Sequence, residues 1–217
     1  LMRKVYLWMA MALAISGLTA YSVAASPGLV QLIYSNSLVM WGCIIAELVM
    51  VWKISNSVAK ENRSLATTTL MFIIFSALNG VTLSSIFVLF APAAIVKTFV
   101  ITAGTFGVMA AYGYFTSRDL TKIGGLLFMA LIGVIIASVV NMFLHSSGLD
   151  LVVSIIGVLV FVGLTAWDSQ QIKMSLAMAP DLGETSQKLA LTGALSLYLD
   201  FVNLFLYLLR FFGGSRD

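Results

Sequence analysis

The sequence predicts an all-α integral membrane protein, a bundle of seven transmembrane helices in a single domain, residues 1–217. The first observation is composition: of 217 residues, 60% are hydrophobic and 10% are charged, and the mean hydropathy is +1.03. A soluble domain is about 45–50% apolar and about 25% charged. This chain therefore has too little polar surface to be a soluble enzyme or a nucleic-acid-binding protein. A single cysteine, Cys43, excludes a disulfide scaffold.

The second observation is a set of seven apolar runs, each close to the ~20 residues that a spanning helix needs. They lie near residues 5–25, 37–57, 66–90, 94–115, 123–144, 149–176 and 187–212. Residues 126–140 are apolar on every side, whereas the strands of an outer-membrane barrel alternate apolar and polar residues. The first run is too long for a signal peptide, and six more follow it.

The third observation is the chemistry of the breaks between the runs, which is typical of loops. All three prolines fall in these breaks, together with Gly, Ser and charged residues. The breaks lie at residues 26–28, 60–63, 91–92, 117–119, 145–148 and 179–184. Because no proline interrupts a run, we expect largely unkinked helices. Because the sequence starts at Leu1 and not at Met, we expect a short native N-terminal segment to precede it.

The basic residues predict the direction of the bundle. With the N-terminus in the cytoplasm, only Lys97, Arg210 and Arg216 of the 12 Lys and Arg residues fall outside, and the other nine fall inside. This asymmetry follows the positive-inside rule. We therefore expect a cytoplasmic N-terminus and, with an odd number of spans, a C-terminus on the opposite side.

Three of the nine carboxylates lie deep inside predicted spans, away from their ends: Glu47 in the second, Asp168 in the sixth and Asp200 in the seventh. An ionised acid at the bilayer centre costs at least about 2.5–3.5 kcal/mol on insertion scales. We therefore expect these side chains to face the bundle interior, where they share protons, pair with cations or meet water. Intramembrane acids are candidates for function, but a buried Asp also fits a packing role through a hydrogen bond to a neighbouring helix.

The seventh run carries its polar residues on one helical face, at alternating steps of three and four. They are Gly193, Ser196, Asp200, Asn203, Tyr207 and Arg210. The sixth run repeats the pattern on a smaller scale with Thr165, Asp168 and Gln171. Because both runs adjoin the same loop, we expect Asp168 and Asp200 to lie at similar depth.

A pair formed by Asp168 and Asp200 has a clear chemical consequence. Two carboxyls in a dry site cannot both ionise cheaply, so they would share a proton and titrate as a unit. We therefore predict a proton sensor at these two residues. The same oxygens suit a transient Ca²⁺ ion, which takes six to eight hard ligands. Further candidate ligands are Glu47, Asn203, Ser196 and Asn79.

Several candidates also fit a purely structural role. Glu47 fits structural pairing as well as it fits function. Asn79, followed by Gly80, is more typical of close helix packing than of a ligand set. Three aromatic residues are interpreted as packing or rim residues: Trp167, Tyr198 and Tyr207.

The seventh run resembles the last-helix signature of the transmembrane Bax inhibitor motif family, the Bax inhibitor-one proteins and their bacterial relatives. The similar segment is Ala-Leu-Ser-Leu-Tyr-Leu-Asp-Phe-Val-Asn-Leu-Phe-Leu-Tyr-Leu-Leu-Arg at residues 194–210. Trp-Asp-Ser-Gln at 167–170 resembles the sixth-helix motif of that family, usually Tyr-Asp-Thr-Gln, and residues 117–122 resemble its loop between the fourth and fifth helices. Glu47 matches an acid in its second helix. The resemblance extends over essentially all 217 residues.

This resemblance implies a seven-helix fold whose last helix is enclosed by the other six. It implies a prokaryotic member, in the inner membrane, that acts as a pH-sensitive Ca²⁺ leak channel gated by Asp168 and Asp200. Calcium is then the cargo, and we expect no cofactor. The sequence departs from the family at Val58, about where bacterial relatives carry an arginine that pairs with the sixth-helix aspartate. The candidate ion pathway consists of Glu47, Asn203, Ser196, Asn79, Tyr207 and Arg210.

Two other functions stay open at this point. The chain fits a regulatory membrane protein that binds a membrane protease or the cell-death machinery, and it fits a proton-coupled cation exchanger built on the same acids. An intramembrane aspartyl protease also uses two aspartates on adjacent helices. Proteases of that kind need Gly-x-Gly-Asp, whereas Tyr198 and Leu199 directly precede Asp200 here. We therefore expect no enzymatic activity.

Overall fold

The computed structural model describes residues 2–60, 63–178 and 183–212, and in these ranges the chain is helical with no β-strand. The helices are α1 (Met2–Ala24), α2 (Pro27–Ser35), α3 (Ser37–Ser55), α4 (Leu65–Leu83), α5 (Ser85–Leu89), α6 (Pro92–Phe115), α7 (Thr121–Leu144), α8 (Ser147–Ala177) and α9 (Glu184–Phe212), with a 3₁₀ turn at Ser57–Ala59. Within the described residues, seven segments are long and apolar enough to cross a membrane: α1, α3, α4 continued by α5, α6, α7, α8 and α9. The predicted all-α fold with seven transmembrane helices is confirmed.

The predicted break at residues 26–28 opens a short helix. Ser26 is extended, with φ −106° and ψ 106°, and Pro27 takes the first helical position of α2, where its fixed φ and missing N–H fit. The Asn36 side chain accepts a hydrogen bond from the Leu38 backbone N–H at 3.0 Å and begins α3. With nine residues, α2 is much shorter than the ~20 residues of a spanning helix, so hydropathy along the sequence did not predict it.

The third predicted run is two helices separated at Ser84. The Ser84 hydroxyl donates to the Val81 carbonyl at 2.7 Å and lies 2.6 Å from the Tyr34 hydroxyl. Such a back-bond competes with the helical ladder and bends a helix, so α5 continues α4 after an interruption. Residues 61–62 and 179–182 of two predicted breaks, and the predicted outside residue Arg216, lie outside the described residues.

One compact unit is formed by residues 2–60, 63–91, 174–178 and 183–198. It contains α1 to α5 and the first half of α9. Helices α1 and α4 approach closely at Gly80, where an added Cβ would lie 2.5 Å from the Ser16 carbonyl oxygen. The interpretation of this glycine as a packing residue is therefore confirmed. Six residues in the first half of α9 are completely buried at 0% exposure: Ser186, Ala190, Leu191, Ala194, Leu197 and Tyr198.

The second compact unit is formed by residues 92–173 and 199–212. It contains α6, α7, most of α8 and the second half of α9. Its buried core consists of Val160, Phe161, Leu164, Leu204 and Leu208. An added Cβ on Gly113 would lie 2.0 Å from the Ala166 carbonyl oxygen, so the backbones of α6 and α8 touch there. Enclosure of α9 by all six other helices, and a single domain for the whole chain, stay predictions.

Candidate functional site

The two aspartates of the sixth and seventh spans meet within the second unit. Asp168 lies on α8 and Asp200 on α9, and a hydrogen bond joins their carboxyl groups. Asp200 is only 4% exposed, and Asp168 is partly buried. A carboxylate has acceptors but no donor, so a hydrogen bond between two carboxyls needs a proton on one of them. In this geometry the pair therefore holds at least one proton.

Three buried polar atoms, on Asp200 and on the α8 residues near Asp168 in sequence, have no hydrogen-bonding partner among the described residues. They are the second carboxyl oxygen of Asp200 (Oδ2), the indole Nε1 of Trp167 and the amide Nε2 of Gln171. Trp167 and Gln171 lie one residue before and three residues after Asp168 on α8. Buried polar groups are normally bonded, and each exception has a cost. Asp200 and residues 167–171 of α8 therefore carry polar atoms whose hydrogen-bonding capacity is unused.

The residues that follow Asp168 fasten α8 to the end of α6 and to the loop before α7. The Ser169 hydroxyl donates to the Ala110 carbonyl at 2.8 Å. The Gln170 amide donates to the Arg118 carbonyl at 2.7 Å and accepts from the Leu120 backbone N–H at 2.9 Å. These bonds hold the α8 backbone in place next to the pair.

One turn further along α8, Lys173 makes a similar contact. Its Nζ donates to the Tyr114 carbonyl at 2.6 Å and lies 4.9 Å from the centre of the Tyr114 ring. No sequence pattern indicated the contacts of Ser169, Gln170 and Lys173. Their partners are backbone carbonyls and N–H groups, which side-chain patterns do not reveal. The one available signal was the run 167–170, in which only the aspartate was given a role.

Two predicted pathway residues of α9 bond to their own helix. The Asn203 amide donates to the Leu199 carbonyl at 2.8 Å, and the Ser196 hydroxyl donates to the Thr192 carbonyl at 3.3 Å. Both side chains are partly buried. Neither of these bonds brings them to the aspartate pair, so their place in an ion pathway stays a prediction.

The last two predicted pathway residues, Tyr207 and Arg210, connect the C-terminal end of α9 to α8. The Tyr207 ring stacks on Phe161 with ring centres 5.9 Å apart. Arg210 forms an ion pair with Asp150 at 3.2 Å and donates to the Ser154 hydroxyl at 3.1 Å. The Arg210 side chain is 45% exposed, so this contact lies at the rim of the unit. The interpretation of Tyr207 as a packing aromatic is confirmed.

Glu47 and Asn79 belong to a separate polar cluster inside the first unit. Glu47 is 9% exposed and accepts a hydrogen bond from the Thr82 hydroxyl at 3.1 Å. The Asn79 amide donates to the Tyr198 hydroxyl at 2.6 Å, and that hydroxyl lies 2.5 Å from the Ser16 hydroxyl. Side chains of α1, α3, α4 and α9 therefore meet through polar contacts. The packing interpretation of Tyr198 was incomplete, since its buried hydroxyl links two helices.

The acid pair does not by itself supply the full ligand set of a resident calcium ion. Within residues 2–60, 63–178 and 183–212, no three His, Cys, Asp or Glu side chains gather in a position to hold a metal ion. Two carboxyls are fewer than the six to eight oxygen ligands of a resident Ca²⁺. Asp168 and Asp200 stay candidates for transient contact with a passing ion.

Seven membrane-length helices, two of which bring Asp168 and Asp200 into contact, define an integral membrane protein with an intramembrane acidic site. The chain matches the family described as Inhibitor of apoptosis-promoting Bax1 over residues 1–217. It belongs to this Bax inhibitor family. The resemblance read from the sequence is therefore confirmed.

Relatives from three bacteria support the same assignment. The inner membrane protein YbhL of Escherichia coli (strain K12) is 47% identical over 217 residues, which is 99% of this chain and 92% of the relative. An uncharacterized protein of Borreliella burgdorferi is also 47% identical, over 99% of this chain and 91% of its own length. The uncharacterized protein RP147 of Rickettsia prowazekii is 41% identical over 100% and 90%. The predicted location in a bacterial inner membrane is confirmed, and the direction of the N-terminus stays a prediction.

Proposed function

We propose that this protein is a pH-sensitive calcium leak channel in which Asp168 and Asp200 form the gate. The observation that supports it is the hydrogen bond between the two buried carboxyls, one on α8 and one on α9. That bond depends on a proton, and it joins two membrane-spanning helices. Gain or loss of a single proton therefore changes the attraction between two elements of one unit.

The proposed gating step follows from the charge of the pair. With a shared proton, the carboxyls bond to each other and hold α8 against α9. Without that proton, two negative charges stand in contact at low dielectric, where their repulsion is strongest. The carboxyls then move apart and offer ionised oxygens, which Ca²⁺ prefers. We therefore expect the leak to increase as the pH rises through the titration of the pair.

The test is calcium flux into liposomes that carry the purified protein and a trapped calcium indicator, with equal pH on both sides. The wild type should show a pH-dependent flux. Asp168→Asn and Asp200→Asn should each flatten that dependence, because an amide keeps its hydrogen-bond donors at every pH. Asp119→Asn is the matched control, since it makes the same chemical change at an exposed loop acid. An unchanged pH profile in both pair variants would contradict the gate.

The same liposomes separate a channel from a proton-coupled exchanger. An exchanger uses the same acids but couples each ion to a proton that moves the other way. Its flux scales with an imposed proton gradient, whereas the flux of a gated leak follows the pH at the pair with no gradient present. Flux that appears only under a gradient would replace the channel proposal by the exchanger.

A second candidate is a regulatory membrane protein, and the family description as an inhibitor of apoptosis-promoting Bax1 favours it. In that case the chain binds a membrane protease or a cell-death protein and carries no ion itself. The expected results are a stable membrane-protein partner in affinity purification and a liposome flux no higher than that of empty vesicles. Neither candidate includes an enzymatic activity or a resident cofactor.

A further inference from the structure

The first unit carries an open groove of about 340 Å³ near the beginnings of α1 and α9. Its lining residues are Lys4, Leu7, Trp8, Met11 and Gln187. The four α1 residues are spaced i, i+3, i+4 and i+7 and so lie on one helical face. The groove therefore runs along α1, with one wall residue supplied by α9.

The groove is positively charged at one end, at Lys4, and apolar along the rest of its length. Lys4 lies at its outer end, and its Nζ donates to the Gln187 side-chain oxygen at 3.1 Å. Leu7 and Met11, further along the span, are 61% and 38% exposed. From Lys4 to Met11 the helix rises about 10 Å. A cationic end is thus followed by roughly two turns of accessible apolar wall.

Trp8 forms one side of the groove, one turn after Lys4 on α1. Its ring meets the ring of Phe72 edge-to-face, with centres 6.0 Å apart. Phe72 is completely buried, at 0% exposure. The indole therefore packs on the buried interior of the unit, and this contact sets one wall of the groove.

The charges around the groove leave Lys4 available to an anion. Helix α1 contains Arg3 and Lys4 but no acidic residue. Glu184, in the first turn of α9, accepts a hydrogen bond from the Leu65 backbone N–H at 2.6 Å. Lys188 is 3% exposed and donates to the carbonyls of Lys60 and Arg63, each at 3.1 Å. Lys4 is therefore the cation that this groove presents at its surface.

We propose that the groove binds an anionic phospholipid, with the phosphate at Lys4 and the start of an acyl chain along Leu7, Trp8 and Met11. A phospholipid carries charge at one end and hydrocarbon below it, in the same order as the groove. Basic pockets at the ends of transmembrane helices bind such head groups. A free phosphate would use only the lysine, and a lipid without net charge would leave the positive charge of the lysine unbalanced.

The test is native mass spectrometry of the full chain, released from micelles that contain phosphatidylglycerol or phosphatidylcholine. Retained phosphatidylglycerol should exceed phosphatidylcholine. Lys4→Gln should weaken phosphatidylglycerol binding about fivefold, the effect of one basic side chain near an anionic lipid surface. Lys4→Arg should restore it. Leu7→Gln should also weaken it without a change in charge. Lys122→Gln is the matched control, an exposed lysine at the start of α7, and should bind as the wild type does.

Glycerol phosphate separates a lipid site from a simple anion site. At the same concentration it should not displace phosphatidylglycerol, because it lacks the acyl chain. Displacement would overturn the lipid proposal in favour of a phosphate site. An equal loss of binding in Lys122→Gln would overturn it as well, since the attraction would then come from overall charge. These outcomes are independent of calcium flux.

Discussion

A hydrogen bond joins Asp168 to Asp200 only while the two carboxyls hold a proton between them. This dependence on one proton makes a pair of acids different from a pair of amides or hydroxyls, whose contacts persist at every pH. It is also why substitution by Asn is the informative change. An Asn retains the shape and a donor but cannot ionise, so it removes the proposed switch and leaves the packing.

Tyr198 offers a test at the residue scale in the first unit. Tyr198→Phe removes the hydroxyl that the Asn79 amide donates to at 2.6 Å and leaves a buried donor with one fewer partner. We expect a loss of about 1–3 kcal/mol in the free energy of unfolding, measured by denaturant unfolding in detergent. Tyr112→Phe, at a ring that is 44% exposed, should change stability by less than about 0.5 kcal/mol. Equal effects in both variants would show that the Tyr198 hydroxyl has no special role.

Asp119 provides a pH-dependent contribution outside the membrane-spanning segments. Its carboxylate accepts hydrogen bonds from the Thr121 hydroxyl at 2.6 Å and the Thr121 backbone N–H at 3.0 Å. These bonds hold the pKa of Asp119 below its usual range, so the stabilisation is present at neutral pH and is lost as the pH falls through the folded-state pKa.

Asp119→Asn should therefore lower the thermal stability at neutral pH, and the difference from the wild type should vanish in acid. The measurement is the midpoint of thermal unfolding in detergent over a series of pH values. Thr121→Ser retains both donors and should follow the wild type. A difference that stays constant with pH would contradict the assignment.

At the scale of helices, close backbone contacts decide which elements can approach one another. An added Cβ at Gly113 of α6 would lie 2.0 Å from the Ala166 carbonyl oxygen of α8, so Gly113→Ala must push the two helices apart. We expect a loss of about 1–3 kcal/mol in the free energy of unfolding, the usual cost of overpacking. Denaturant unfolding in detergent measures it.

Gly107, on the same helix, is the matched control because an added Cβ there meets nothing within 4 Å. Gly107→Ala should leave the free energy of unfolding unchanged or raise it by up to about 1 kcal/mol, since Ala favours helix over Gly. A destabilisation of the same size at both positions would mean that helix propensity, and not the α6–α8 contact, sets the effect.

At the scale of the whole molecule, the orientation in the membrane can be tested with single cysteines. In a Cys43→Ala background, Ser146→Cys places a thiol in the loop between α7 and α8, and Ser117→Cys places one between α6 and α7. A cytoplasmic N-terminus predicts that an impermeant maleimide labels the first in intact cells and the second only after lysis. The reverse pattern would mean that the bundle has the opposite direction.

Much of the candidate site could be predicted because lipid makes polar residues conspicuous. An acid in an apolar run is costly, so Glu47, Asp168 and Asp200 are visible in the sequence alone. Helical periodicity then placed Asp168 and Asp200 near the same loop. The two hydrogen bonds of the Gln170 side chain were not predicted, because its partners are backbone atoms of residues 118 and 120. Backbone groups leave no pattern in a sequence.

The sequence by itself determined the number of spans, their approximate ends and the residues that lipid would reject, because hydrophobic length and helical period are properties of the chain. Only the tertiary structure decided which polar groups bond. In the structure Asp168 is hydrogen-bonded to Asp200. The Asn203 and Ser196 side chains donate to carbonyls of their own helix. The Tyr198 hydroxyl accepts a hydrogen bond from the Asn79 amide. The reason is geometric. A hydrogen bond forms only within a few tenths of an ångström of its preferred donor–acceptor distance, and spacing along the chain does not determine distances between helices to that precision.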